Sequence, residues 1–187
     1  MEKVAVFGAG AMGRQIALQC ALRGFPVVLN DSRAEALDAA NTFYAEYLDG
    51  RIAKGKLSAE GKAATLGRLR TTTDVADAAK DATLVIEAII EQFEPKAELF
   101  TKLDAICGPD TLLTTNSSNM RGSRLAEVTQ RPGQVFNLHF FNPALVMELV
   151  EVVVHPQVSE AVVTRAVEFC RAIGKAPVVM RKEIPGF

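Results

Sequence analysis

Short apolar runs alternate along the chain with longer stretches in which apolar residues recur at helical spacing. Apolar runs bounded by glycine, proline or polar residues are typical of buried strands, whereas a period near 3.6 is typical of helices. The pattern predicts strands at 3–7, 26–30, 69–72, 83–86, 112–115, 134–139, 149–154 and 177–180. It predicts helices at 11–23 and around 37–48, two more beginning near 58 and 95, and one at 158–173. This alternation predicts an α/β fold with a doubly wound, mostly parallel sheet.

The second and third predicted strands are separated by about forty residues, more than a single crossover helix needs. Gly55 breaks the first helical stretch and Ser58 begins a second one, so we predict an inserted helical hairpin at about 49–68. Residues 49–70 contain six basic and two acidic side chains, namely Arg51, Lys54, Lys56, Lys62, Arg68 and Arg70 with Asp49 and Glu60. A basic cluster suits a polyanionic ligand, and a solvated charged face explains it equally well.

The composition is that of an ordinary globular domain. The chain has 187 residues, of which 49% are hydrophobic and 23% charged, and its net charge is −1. This length suits one domain, 1–187, and the balanced charge argues against nucleic acid as a partner. The cysteines, Cys20, Cys107 and Cys170, form no CxxC pair, so we expect buried, reduced thiols in a cytoplasmic protein and no metal site. Glycines or polar residues interrupt the apolar runs at 4–11 and 135–154, and we therefore expect neither a secretory signal nor a membrane segment.

A glycine-rich segment follows the first predicted strand and opens the first helix: Gly8, Ala9, Gly10, Ala11, Met12 and Gly13. In this Rossmann-like context the glycines allow a tight turn and a close approach of a pyrophosphate to the helix N-terminus. Asp31 follows 18 residues after Gly13, where a carboxylate holds ribose hydroxyls and repels a 2′-phosphate. We therefore predict that NAD binds to Gly8, Gly10, Ala11, Met12, Gly13 and Asp31. Arg33 could instead accept a 2′-phosphate, but a solvated residue in the first helical turn is the preferred interpretation.

His139 ends a predicted strand, at the edge of the sheet where open α/β folds bind ligands. Histidine titrates in the range that a general base for alcohol oxidation requires, although an isolated histidine among apolar residues is more often structural. The polar break at Asn142 and Pro143 favours the catalytic interpretation. Glu148 and Glu151 both follow within reach, but strand alternation puts them on opposite faces, so only one can orient His139.

Lys96 lies one residue after Pro95, in the first turn of a predicted helix. A cation there opposes the helix dipole, so the position is locally unfavourable. A cofactor hydroxyl or an acidic partner explains it, and a surface ion pair with Glu94 or Glu98 is the simpler alternative.

Several further segments resemble the NAD-binding domain of the L-3-hydroxyacyl-CoA dehydrogenase family, which includes 3-hydroxybutyryl-CoA dehydrogenases. The resemblance runs in order along the chain, through 8–13, 86–88, Glu91, Lys96, 99–100, 115–118, 138–143 and 149–153. It implies NAD-dependent oxidation of (S)-3-hydroxyacyl-CoA to 3-oxoacyl-CoA, or the reverse reduction, in fatty-acid or butanoate metabolism. It also implies an acyl-CoA substrate, whose CoA moiety the hairpin binds, with Lys54 among its contacts.

The resemblance also implies roles for single residues. It selects Glu151, twelve residues after His139, as the orienting carboxylate. It implies that Ser118, 21 residues before His139, donates to the 3-oxygen of the substrate. The nicotinamide ribose and ring are then lined by Glu91, Lys96, Asn116 and Asn142, of which Asn142 also faces the substrate. Asn119 departs from the family pattern, where many members carry a small residue.

In the resembling family, a second, helical domain follows the segment that ends here in Pro185-Gly186-Phe187. That domain completes the acyl pocket and forms the main dimer contact in the family. We expect it to be absent here, and we therefore expect the isolated chain to be poorly active. A homodimer is expected for the two-domain protein. Two alternatives remain open: a non-catalytic NAD-binding sensor or structural module, and a related dehydrogenase acting on a non-CoA hydroxy acid or a diketone.

Overall fold

One eight-stranded sheet organises the protein, whose computed structural model describes residues 1–184. The strands are β1 Val4–Phe7, β2 Val27–Asn30, β3 Leu69–Thr72, β4 Leu84–Glu87, β5 Leu112–Thr115, β6 Val135–Phe140, β7 Leu149–Val153 and β8 Ala176–Met180. The helices are α1 Ala11–Leu22, α2 Ala34–Ala53, α3 Ala59–Leu66, α4 Val75–Ala79, α5 Phe93–Ile106, α6 Gly122–Ala126 and α7 Glu160–Ala172, with a 3-10 turn at Pro132–Gln134.

The strand order is β3-β2-β1-β4-β5-β6-β7-β8. The first six strands in this order pair in parallel, β7 runs antiparallel to β6, and β8 is parallel to β7. The chain leaves β1 toward β3 and returns to β4 on the other side of β1. The carboxyl ends of β1 and β4 therefore flank a topological switch point, where doubly wound sheets bind ligands.

Helices cover the two faces of the sheet. On one face α1, α2 and α7 pack on alternate strand residues, with Ile16, Tyr44 and Phe169 in the core. On the other face α4, α5 and α6 cover the remaining alternate residues, with Phe100 at the centre. Burial on both faces explains why β1 and the first three residues of β4 form continuous apolar runs.

The structure confirms the doubly wound, mostly parallel sheet that the sequence predicts, and most boundaries differ by one or two residues. Between β2 and β3, α2 and α3 occupy the region of the predicted hairpin, and Ser58 caps α3 by accepting a hydrogen bond from Gly61 N at 3.0 Å. The helix predicted from Pro95 begins two residues earlier, at Phe93. The sequence pattern does not predict α4 and α6, because five residues are too short to display a helical period.

The apolar stretch 135–154 forms β6 and β7, as expected for two strands joined by a loop. Within residues 1–184, no helix is long and apolar enough to cross a membrane. The end of the chain, Pro185-Gly186-Phe187, lies outside the described residues.

Candidate active site

The glycine-rich turn between β1 and α1 is held by close backbone packing. Gly8 has a φ of +102°, and a Cβ there would lie 2.5 Å from the carbonyl oxygen of Ala88. A Cβ on Gly13 would lie 1.8 Å from the carbonyl oxygen of Gly8. Only glycine satisfies both positions, because an L side chain rarely adopts this φ and neither backbone oxygen can move freely.

Gly10 is exposed, and a Cβ there would meet no atom within 4 Å. The helix α1 that follows has no side-chain cap at its N-terminus and no acidic residue in its first turn. Its first backbone N–H groups are therefore available to an anion, and the helix dipole favours negative charge there. The turn fits a dinucleotide pyrophosphate, since the backbone is open at Gly10 and tight at Gly8 and Gly13.

Asp31 lies just beyond β2 beside this turn. One carboxylate oxygen accepts a hydrogen bond from Ala9 N at 2.8 Å, and the other accepts from Arg33 N at 3.0 Å. The Arg33 side chain is 72% exposed, with its Nε 3.6 Å from Asp31. Asp31 is thus fixed by the backbone, whereas Arg33 remains a solvated residue at the start of α2.

A crevice of about 560 Å³ opens at the carboxyl edge of the sheet, across the switch point. The residues that line it come from the ends of β1, β2 and β4 and from α4 and α5: Phe7, Gly8, Gly10, Asn30, Asp31, Ser32, Arg33, Val75, Ala88, Ile89, Ile90, Pro95 and Leu99. Its walls are mostly apolar with a few directional polar groups, as is usual for a cofactor site.

His139 and Glu151 face each other across the antiparallel pair β6 and β7, where they are directly opposed in register. His139 Nδ1 lies 2.9 Å from Glu151 Oε2, and the two side chains are 13% and 19% exposed. Glu148 precedes β7 and is exposed. The register therefore decides between the two carboxylates that the sequence leaves open: Glu151 is the partner of His139.

The loop after β5 carries the other predicted polar residues of this edge. Asn116 Oδ1 accepts a hydrogen bond from Phe140 N at 2.8 Å, so the end of β5 is tied to the strand that carries His139. Ser117 is buried, whereas Ser118 is exposed. Asn142, in the loop after β6, is exposed as well.

Lys96 is buried in α5, with 1% of its side chain exposed. Its Nζ lies 2.5 Å from Glu87 Oε1 and 3.2 Å from Glu91 Oε2. The acidic-partner interpretation of Lys96 is confirmed, and the surface ion pair with Glu94 or Glu98 is wrong, because the helix turns Lys96 toward the end of β4.

Glu87, to which the sequence pattern assigns no role, is fully buried at the end of β4. The signal that could have revealed it is a charged residue that continues an apolar strand, since a buried carboxylate requires a partner.

The basic cluster of the hairpin is partly neutralised. Lys62 Nζ lies 2.5 Å from Asp49, and Arg70 forms an ion pair with Asp77 of α4. Lys54, which directly follows α2, is exposed. The structure thus leaves Lys54 accessible and draws two of the six basic residues into local pairs.

The three cysteines are buried and free, as the sequence predicts. Burial raises the pKa of Cys107 to about 11 and that of Cys170 to about 12, and it raises the pKa of Cys20 further still. The thiols are therefore protonated packing residues without nucleophilic character. Among residues 1–184, no group of three or more His, Cys, Asp or Glu side chains could hold a metal ion.

The chain is similar to known proteins. Residues 3–184 match the protein family described as 3-hydroxyacyl-CoA dehydrogenase, NAD binding domain. The chain is 43% identical over 187 residues to a 3-hydroxyadipyl-CoA dehydrogenase of Escherichia coli K12, an alignment that covers all of this chain and 39% of that relative.

The fold of the chain is also similar to those of solved structures. A 3-hydroxybutyryl-CoA dehydrogenase from Escherichia coli K12 superposes with a TM-score of 0.92 at 44% identity, over 95% of this chain and 38% of that one. A diketoreductase, described as catalysing reactions of dicarbonyl compounds, superposes with a TM-score of 0.92 at 34% identity, over 100% of this chain and 66% of that one. The chain therefore spans about two fifths of the length of these Escherichia coli relatives.

Proposed function

The chain belongs to the 3-hydroxyacyl-CoA dehydrogenase family as its NAD-binding domain, and we propose that it transfers hydride between (S)-3-hydroxyacyl-CoA and NAD in fatty-acid or butanoate metabolism. One observation carries this proposal: the pair of His139 and Glu151, 2.9 Å apart, at the sheet edge that also holds the dinucleotide turn. A histidine and a carboxylate in this arrangement form the base that alcohol oxidation requires.

NAD⁺, when bound, supplies the hydride acceptor for C3 of the substrate. His139 accepts the hydroxyl proton on the ring nitrogen that does not face Glu151, so the products are 3-oxoacyl-CoA, NADH and one proton. Glu151 holds Nδ1, which fixes the ring orientation and stabilises the imidazolium that forms. In the reverse reduction the same histidine returns the proton to the 3-oxygen.

The other predicted site residues are proposed to position the two ligands. Ser118 donates to the 3-oxygen as negative charge develops there. Asn116 and Asn142 approach the nicotinamide end together with Glu91 and Lys96, and Asn142 also contacts the substrate. Asp31 holds the adenosine ribose and favours NAD over NADP, because its carboxylate repels a 2′-phosphate.

The acyl-CoA substrate is proposed to extend over the helical hairpin at about 49–68. The exposed ammonium of Lys54 supports this placement, because the phosphates of coenzyme A are anionic. We further propose one domain, 1–187, in a cytoplasmic protein, which the three free, buried thiols support. A homodimer of the two-domain protein is proposed from the family resemblance alone.

A related substrate class is a second candidate. The 34% identity to a diketoreductase supports a diketone without a CoA group as the carbonyl substrate. Only the part of the substrate away from the reacting carbon differs, so His139 and Glu151 would act unchanged.

The test follows NADH oxidation by the gene product that contains this chain, with acetoacetyl-CoA and a simple diketone as competing substrates. We expect turnover with acetoacetyl-CoA. In His139→Gln, kcat should decrease about 10²- to 10⁴-fold. In Glu151→Gln, kcat should decrease about 10- to 150-fold, because the variant loses a charge-assisted hydrogen bond of about 1.5–3 kcal/mol. The NADH dissociation constant should stay within about twofold in both variants, since neither residue lies in the dinucleotide turn. Turnover of the diketone alone would establish the second candidate. Wild-type turnover retained in His139→Gln would refute the proposed mechanism, and NADH binding without any turnover would favour a sensor.

A further inference from the structure

Glu87, Lys96 and Glu91 form an ionic network beside the crevice, and its innermost member, Glu87, accepts a hydrogen bond from Ile89 N in the crevice lining. We propose that Glu87 is a positioning residue for the nicotinamide half of the cofactor, which it serves by holding Lys96 and, through Lys96, the carboxylate of Glu91. This inference rests on the proposed function, because it assigns the network to a bound dinucleotide.

Both carboxylate oxygens of the buried Glu87 accept hydrogen bonds. Oε1 accepts hydrogen bonds from Lys96 Nζ at 2.5 Å and Ile89 N at 2.7 Å, and Oε2 accepts one from the Thr115 hydroxyl at 2.6 Å. These donors come from α5, from the loop after β4 and from β5. One side chain therefore joins three elements at the carboxyl edge of the sheet, and its negative charge is compensated inside the protein.

The network reaches the solvent only at Glu91, whose side chain is 42% exposed. One Glu91 oxygen lies 3.2 Å from Lys96 Nζ, and the other accepts a hydrogen bond from the Ser117 hydroxyl. Ser117 is fixed in turn, since its oxygen accepts hydrogen bonds from Met120 N at 2.8 Å and Asn119 N at 3.2 Å. Glu91 is therefore an exposed carboxylate held at both oxygens by buried groups.

The sheet order assigns this network to the nicotinamide half. Asp31 follows β2, on one side of the glycine turn, whereas Glu87 and Thr115 end β4 and β5 on the other side. His139, the proposed base, lies farther along the same side, on β6. A dinucleotide whose pyrophosphate lies over the β1–α1 turn and whose adenosine lies at Asp31 extends its other half over β4 and β5.

The network contains two carboxylates and one ammonium, and Glu87 makes the shorter contact with the ammonium. Lysine has a long, flexible stem, so Lys96 alone would not fix the position of Glu91. With Glu87 in place, Lys96 Nζ has a fixed position, and so does the exposed carboxylate of Glu91. At metal sites, removing a residue that orients a ligating side chain typically lowers metal affinity about 10- to 100-fold, and we expect the lower end of that range for a carboxylate that orients a dinucleotide contact.

The experiment compares binding of NADH with binding of ADP, which lacks the nicotinamide and its ribose. In Glu87→Gln we expect the dissociation constant of NADH, measured by fluorescence titration, to rise about tenfold. That of ADP, measured by calorimetry, should stay within about twofold. The matched control is Glu98→Gln, an exposed carboxylate on the same helix, which should leave both constants unchanged.

Glu87→Gln keeps one acceptor oxygen for Lys96 but removes the negative charge that compensates a buried ammonium, so the variant is expected to be less stable. The double variant Glu87→Gln/Lys96→Met removes both charges and should recover most of the thermal stability, while NADH binding stays about tenfold weak. Recovery of NADH affinity together with stability would show a purely structural role and overturn the inference, as would equal weakening of NADH and ADP. A wild-type protein that binds no NADH would instead overturn the proposed function, and the inference with it.

Discussion

The N-terminus of α1 offers a test in which cofactor binding and stability separate. Gly10 has φ −68° and ψ −170°, an extended conformation that alanine adopts readily, and a Cβ there meets no atom within 4 Å. Gly10→Ala should therefore leave the free energy of unfolding within about 0.5 kcal/mol of wild type. The added methyl group lies where the pyrophosphate is proposed to approach the backbone.

In Gly10→Ala, the added methyl group should weaken NADH binding because it crowds the pyrophosphate. Forcing one methyl group into a packed contact costs about 1–3 kcal/mol, which corresponds to a rise of about 5- to 140-fold in the NADH dissociation constant. NADH fluorescence titration measures this rise, and urea unfolding of the same protein measures stability.

Gly13→Ala is the contrasting variant. Its Cβ would lie 1.8 Å from the Gly8 carbonyl oxygen, so α1 must move away from the turn. We expect Gly13→Ala to lose stability, by about 1–3 kcal/mol or more, as well as NADH affinity. Wild-type NADH affinity in Gly10→Ala would refute the placement of the pyrophosphate, and an undiminished stability in Gly13→Ala would refute the close packing of α1 on the turn.

Two further predictions concern the ribose carboxylate and the pH dependence of folding. Asp31→Asn keeps an acceptor for the backbone of the turn but removes the charge. The preference for NADH over NADPH should therefore decrease about tenfold, because about 1.4 kcal/mol of charge repulsion is lost. An unchanged ratio of the NADH and NADPH dissociation constants would contradict this. The hydrogen bond from the Arg165 guanidinium holds the pKa of Glu2 below its ordinary value of 4.5. Because the folded-state pKa is lowered, this stabilisation is present above pH 4.5 and is lost as the pH falls through the lowered value. Urea unfolding should therefore show wild type more stable than Glu2→Gln at neutral pH, with the difference decreasing in acid; a constant difference would exclude this linkage.

Local sequence was sufficient for much of the fold and for the dinucleotide turn. Backbone contacts require glycine at 8 and 13, whereas position 10 is open, and Asp31 follows the next strand. The spacing of these residues was enough to reveal the turn. The alternation of apolar runs and helical periods predicted the layers, because strands that are buried on both faces have a strong local signature.

Local sequence was not sufficient for the pair of His139 and Glu151 or for the ionic network around Glu87. Two carboxylates follow His139, and apart from the family resemblance only the antiparallel register of β6 and β7 decides that Glu151 is the partner. The sequence left Lys96 open between a buried partner and a surface ion pair, and only the structure shows that Glu87, at the end of an apolar strand, is that partner.

The sequence by itself determined the order of the strands and of the longer helices along the chain, the dinucleotide turn and the chemistry available at the sheet edge. Only the tertiary structure decided which charged groups meet there. The physical reason is the range of the interactions: turns and amphipathic faces depend on neighbours within about one helical turn, whereas a pair such as Thr115 and Glu87, 28 residues apart, exists only after parallel strands have aligned their ends.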